Sequence, residues 1–343
     1  MKISIIELIF ILGTLLFVTT CDDSQNVTNV SATNENLIEY PCMTSDEDCL
    51  NVLDVKGGTF QFFSSFNIDS LFNIKGAIIV IHGHQRSGDV YFEKMNSVLS
   101  ELGLTDSILV LAPKFITLYE KDSQTDFYWN TTSWKWGLQS YSNFNGETIS
   151  SYEIIDTLLN RLTNNIMFPH LENILLTGMS SGAAFVQMFS ASKENNLIND
   201  AVLDYAVVNS QYFLHPDPRR LMSDGSISIP ENCEIYNKWP LGFDELSPYM
   251  DLIGSHQLES FFLSNRVQYF VGENDTNTDN ITQGCQYNLV LGINRYDKNI
   301  NFINYLDGLY PNNKHYLLII PNIGHSTNAF SSVVFKDYLG SVF

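Results

Sequence analysis

The chain has 343 residues, with 38 Asp or Glu against 18 Lys or Arg, a formal net charge of −20. That balance offers no basic footprint for nucleic acid and repels anionic membrane surfaces. Only 16% of residues are charged while 44% are hydrophobic, which excludes a solvated disordered acidic chain and leaves enough apolar surface for a large core.

In chain order, residues 1–20 read as a secretory signal peptide. Met1-Lys2 gives a weak positive start, and Leu8 to Val18 is uncharged, mostly apolar and too short to span a bilayer comfortably. Cys21 falls where a lipoprotein would carry its lipid anchor. Thr20 replaces the small residue usual before such a cysteine, so simple secretion is the main expectation and lipidation the alternative. No later run is apolar and long enough to be a transmembrane segment. The expected location is therefore secreted or extracytoplasmic, with a cell-surface lipoprotein as the variant. Residues 21–50 read as a flexible polar leader rich in Asn, Ser and Thr. Beyond Cys21 there are four cysteines, an even number that suggests two disulfides in an exported chain. Three pairings are open; locality favours Cys42–Cys49, leaving Cys233–Cys285.

Residues 51–343 read as one catalytic domain. Ala77–Ile81, Ser107–Leu111, Asn173–Thr177, Leu203–Val208, Val267–Val271 and Tyr316–Ile320 are continuous apolar or β-branched runs, the pattern of parallel strands buried on both faces. Helical spacing appears between them: Phe92, Met95, Val98 and Leu99; Ile154, Ile155, Leu158, Leu159 and Leu162; and a run following Gly182. Alternation of this kind predicts an α/β fold, a mostly parallel central sheet with helices on both faces, with functional loops at the carboxyl ends of the strands. An insertion at 211–262 is expected to form a small cap.

Gly178-Met179-Ser180-Ser181-Gly182 matches G-x-S-x-G, directly after a predicted strand and directly before a predicted helix, the setting of a nucleophile elbow. Ser180 is the expected nucleophile, with the Ser181 N–H as an oxyanion donor at the helix N-terminus. A hydroxyl needs a base. His325 follows the last strand in Pro321-Asn322-Ile323-Gly324-His325, where Gly324 is expected to let the imidazole turn inward. The orienting acid should lie between them in the chain, and Asp275, in Gly272-Glu273-Asn274-Asp275 after the penultimate strand, is the choice, with Asp279 in reserve. His82-Gly83-His84-Gln85-Arg86 follows the first strong strand and is expected to give a second oxyanion N–H; His84 and Gln85 are the candidates through their backbones, with His84 the choice. Arg86 reads as a structural ion pair or a carboxylate binder. Phe127, Tyr128, Trp129, Trp134 and Trp136 read as core or as the lining of a substrate pocket.

Taken together, the His82-Gly83 loop, the elbow, Gly272-x-x-Asp275 and Gly324-His325 resemble the α/β-hydrolase superfamily over residues 70–343. Ala112-Pro113-Lys114-Phe115, Trp136-Gly137, Asn237-Lys238-Trp239-Pro240-Leu241-Gly242 and Gly292-Ile293-Asn294-Arg295 are similar to a sparsely characterised group of extracellular-type serine hydrolases. Ser181-Gly182-Ala183 departs from that group, which often has Ala-Gly-Gly there. The resemblance implies esterase-like activity on a small-molecule or polymer ester, with no metal or organic cofactor. A serine peptidase or amidase with the same triad, and a non-catalytic surface binding protein on a hydrolase scaffold, are the other readings. The acidic surface is expected to favour neutral or cationic substrates over acidic ones.

Overall fold

The computed structural model describes residues 41–343 apart from 69–72, 196, 198–200 and 289–291. The signal-peptide reading, Cys21 and most of the polar leader lie outside the described residues. The strands in chain order are β1 (Leu50–Val55), β2 (Gly58–Ser64), β3 (Gly76–Ile81), β4 (Ile108–Pro113), β5 (Asn173–Met179), β6 (Val202–Val208), β7 (Arg220–Leu221), β8 (Ile227–Ser228), β9 (Val267–Gly272) and β10 (His315–Ile320). The helices are α1 (Gly88–Leu102), α2 (Ser151–Leu162), α3 (Ser181–Phe189), α4 (Pro248–Asp251), α5 (Ser255–Ser264), α6 (Cys285–Asn288), α7 (Arg295–Leu309) and α8 (Val333–Val342).

Eight strands form one sheet in the order β1-β2-β4-β3-β5-β6-β9-β10. The apolar runs of the sequence are β3, β4, β5, β6, β9 and β10, and they pair in parallel throughout. The α/β class with a mostly parallel central sheet is thus observed. Successive residues along a strand feed opposite faces. Ala77, Ile79 and Ile81 of β3 join one core with Leu158 of α2, Phe185 of α3 and Phe302 of α7. Ile78 and Val80 join the other with Phe92 and Met95 of α1 and Leu339 of α8. Both faces are dry, which is why the strands read as unbroken apolar runs.

Two features depart from the sequence reading. The β1–β2 hairpin, joined by a tight turn at Lys56 and Gly57 with φ 45° and 69°, adds an antiparallel edge beside β4. Its outer strand β1 is largely solvent-facing and lacks an apolar run, so it left no such signal. At the opposite edge, β10 looks doubly buried in sequence, yet Tyr316, Leu318 and Ile319 are 52%, 40% and 40% exposed.

Helix starts follow local chemistry. Ser150 caps α2 by accepting from Tyr152 N–H, while Glu153 reaches back to Ser150 N–H at 2.8 Å. Disulfides join Cys42 to Cys49 and Cys233 to Cys285, the expected pairing. The 211–262 segment holds β7, β8, α4 and most of α5. Among the described residues no helix is long and apolar enough to cross a membrane.

Candidate active site

The site is built at the carboxyl end of the sheet, where β5 turns into α3. Ser180 has φ 60° and ψ −111°, a sparsely populated conformation that costs roughly 1–3 kcal/mol. The surroundings hold it there: Ser180 N–H donates to Val208 O at 3.0 Å, and Ser180 O accepts from Ala184 N–H at 3.2 Å. The flanking glycines are required by contact. A Cβ on Gly178 would lie 2.6 Å from the Gly182 carbonyl carbon, and one on Gly182 would lie 2.2 Å from Ile81 O. Because α3 begins at Ser181, the N–H groups of its first turn, that of Ser181 among them, have no intrahelical partner.

Asp275 and His325 are brought together. His325 Nδ1–H donates to Asp275 Oδ2 at 2.8 Å, the carboxylate side chain being fully buried and the imidazole 30% exposed. That tautomer leaves the Nε2 lone pair available to accept a proton. Asp279 is exposed and takes no part; its N–H donates to Asn277 Oδ1. Among the described residues no hydrogen bond joins Ser180 Oγ to the imidazole, but both residues line one cavity of about 1030 Å³. The loop geometry differs from expectation in one respect. Gly324 does not adopt a left-handed backbone; the glycine the loops demand is Gly272, where a Cβ would meet Ile323 O at 2.2 Å.

Asn209, just after β6, ties these two loops together. It is fully buried with φ 51°. Its Oδ1 accepts from Gly272 N–H at 2.8 Å and its Nδ2 donates to Gly324 O at 3.4 Å. In the sequence it is only the residue that follows the predicted strand Leu203–Val208.

The loop after β3 is held by His82. Burial pushes this imidazole down to about 4, with smaller opposing effects from its hydrogen bond to Gly83. It is neutral: Nε2 accepts from Phe115 N–H at 3.1 Å and Nδ1–H donates to Gly83 O at 2.9 Å. Gly83 O also accepts from Arg86 N–H at 3.1 Å. In a trans peptide the N–H of the following residue points opposite to the carbonyl. With the Gly83 carbonyl fastened to His82 and Arg86, the His84 N–H is turned away from them. His84 lines the same cavity as Ser180, and so do Gly83 and Ser181. Arg86 is a structural ion pair, bonding Glu120 at 3.0 and 3.1 Å. Against the opposing effect of burial, hydrogen bonds from Arg86 and Thr117 bring the Glu120 carboxyl down to about 2.

Apart from Trp136, the remaining walls come from residues to which the sequence reading gave no role. Thr132, Lys135, Trp136, Asn280, Ile281, Thr282, Tyr287 and Arg295 line the cavity, whereas the 211–262 insertion contributes only Gln211 and Tyr212 and does not roof it. Of the aromatic cluster, Phe127, Trp129 and Trp134 are core and Trp136 faces the cavity. No group of metal-ligating side chains occurs among the described residues.

No protein-family model matches the sequence, and no curated protein matches it. Solved structures do. LpqC, a poly(3-hydroxybutyrate) depolymerase from Bordetella parapertussis, is similar with a TM-score of 0.59 at 16% identity, covering 85% of this chain and 89% of that one. Poly(aspartic acid) hydrolase-1 from Sphingomonas sp. KT-1 is similar with a TM-score of 0.56 at 17% identity, covering 85% and 97%. At such identities the likeness speaks to the fold. Strand order, the strand–turn–helix at Ser180 and these likenesses agree: the chain has the α/β-hydrolase fold.

Proposed function

We propose that the protein is an exported serine hydrolase that cleaves carboxylic esters, small or polymeric, through Ser180, His325 and Asp275. The observation that carries this reading is the 2.8 Å Asp275–His325 bond in the cavity that also holds Ser180 on its strained turn. Ser180 Oγ attacks the ester carbonyl carbon while its proton passes to His325 Nε2. Asp275 holds the tautomer and stabilises the imidazolium. The Ser181 and His84 N–H groups receive the tetrahedral oxyanion. Collapse breaks the bond to the alcohol oxygen, which takes the proton back from His325. Water, deprotonated by the same imidazole, then frees the acid from Ser180. The serine–histidine contact tightens once substrate fills the cavity, as such contacts commonly do. Export is supported by two disulfides, which persist in oxidising compartments.

Ser180→Ala is expected to lower kcat on p-nitrophenyl esters by roughly a millionfold and to abolish labelling by a fluorophosphonate probe. Undiminished labelling of that variant would falsify the assignment.

A further inference from the structure

The cavity holds two cations that the acyl-transfer steps do not consume. Lys135 and Arg295 line it, and none of its lining residues among those described is Asp or Glu, in a chain of net charge −20. Lys135 is only 4% exposed. Its ammonium lies over the rings of Trp136 at 4.4 Å and Tyr212 at 4.5 Å, with the Tyr212 hydroxyl 3.5 Å from Nζ. It enters none of the ion pairs among the described residues. Burial lowers its pKa to about 8, which still leaves it mostly protonated at neutral pH. Burying an ammonium without a counter-ion is unfavourable, and aromatic faces offset only part of that. Arg295, also 4% exposed, is engaged elsewhere: Nη1 lies 3.7 Å from Asp275 Oδ1 and Nη2 donates to Asn280 O at 3.3 Å. Its Nε has no hydrogen-bond partner among the described residues. The cavity thus presents a desolvated positive charge, fixed on a wall of Trp136 and Tyr212, without a matching negative one.

Building on the serine-hydrolase reading, we propose that the substrate supplies the missing charge: the enzyme selects esters that carry a carboxylate, and Lys135 is the residue that recognises it. Arg295 adds positive potential to the same cavity while it serves Asp275. The acidic exterior, which favours neutral or cationic ligands, does not describe this interior.

The test compares two matched pairs of esters on the full chain. Mono-p-nitrophenyl adipate against p-nitrophenyl hexanoate places the carboxylate on the acyl side; 4-acetoxybenzoate against its methyl ester places it on the leaving-group side. The wild type is expected to favour the carboxylate member of at least one pair by about tenfold or more in kcat/KM, the scale of one charge-assisted hydrogen bond, and mainly through KM. In Lys135→Met and Lys135→Gln that ratio is expected to fall towards one. A wild type that favours the neutral member of both pairs overturns the proposal without recourse to any variant, as does a preference that survives both substitutions. Absence of fluorophosphonate labelling and of turnover on all four esters overturns the serine-hydrolase reading beneath it. Labelling with no carboxylate preference overturns this proposal alone.

Discussion

Asn209 is where the positions of the two loop-borne groups converge. Asparagine tolerates the left-handed backbone found there, and its amide supplies both an acceptor for the Gly272 N–H and a donor for the Gly324 carbonyl. In Asn209→Ala the Gly272 N–H is left buried and unpaired, a loss of about 1–3 kcal/mol. The expected result is a melting temperature lower by several degrees, measured by circular dichroism. Turnover on esters should fall about tenfold to a hundredfold, the size of effect that a slightly misplaced catalytic group produces. Asn209→Asp keeps the acceptor and should recover most of the stability; an alanine variant with unchanged melting and turnover would refute the bridging role. This residue was illegible in the sequence because its partners lie 63 and 115 residues away. Lys135 was hidden for the same reason: only folding sets its ammonium against Tyr212, 77 positions on. Ser180, Asp275 and His325 were legible because each sits in a short motif at a strand end; Gly178, Gly182 and Gly272 report the tight approach beside the first two.

At the scale of elements, the site depends on how closely α3 approaches β3. The Gly182 backbone rests against the carbonyls of Ile81 and His82, where an added Cβ would lie 2.2 and 2.7 Å away. Gly182→Ala must push the start of α3 off β3, displacing the Ser181 N–H and the loop after His82 together. Overpacking of this kind costs about 1–3 kcal/mol, and fluorophosphonate labelling should slow with it. Gly340→Ala in α8, where a Cβ meets nothing within 4 Å, is the control and should raise stability by about 1 kcal/mol through helix propensity. Equal melting temperatures for the two variants would refute the close-approach account. The parallel strands were legible because burial on both faces leaves unbroken apolar runs. The β1–β2 hairpin was not, since an edge strand half in water carries no such run, and β10 shows the converse error, an apolar run left partly in solvent.

Across the whole molecule, three histidines are buried as neutral rings. Burial holds His82 and His315 down to about 4 and His215 well below its ordinary value. In the unfolded chain each titrates near 6.5, so the unfolded state takes up protons first as pH falls. Their neutral burial is therefore without penalty above about pH 6.5, and stability drains away between there and about pH 4. His82 and His315 each account for about 3 kcal/mol of that loss. Urea denaturation from pH 7.5 to 4 should show it; a midpoint flat across that range would contradict the account. Glu120, held down to about 2, adds its own loss only at lower pH. The net charge of −20 gave no hint of these interior groups, nor of a cavity lined by cations, because it counts side chains without regard to which side of the surface they occupy.

The donor assigned to His84 belongs to a peptide plane whose direction is fixed by the Gly83 carbonyl and its bonds to His82 and Arg86. Any residue except proline can stand at 84 and still offer that N–H. An alanine scan would pass over the position in silence, although the proposed chemistry depends on it. The side chain at 84 is correspondingly free to drift, and can be traded for substrate fit without touching the oxyanion contact.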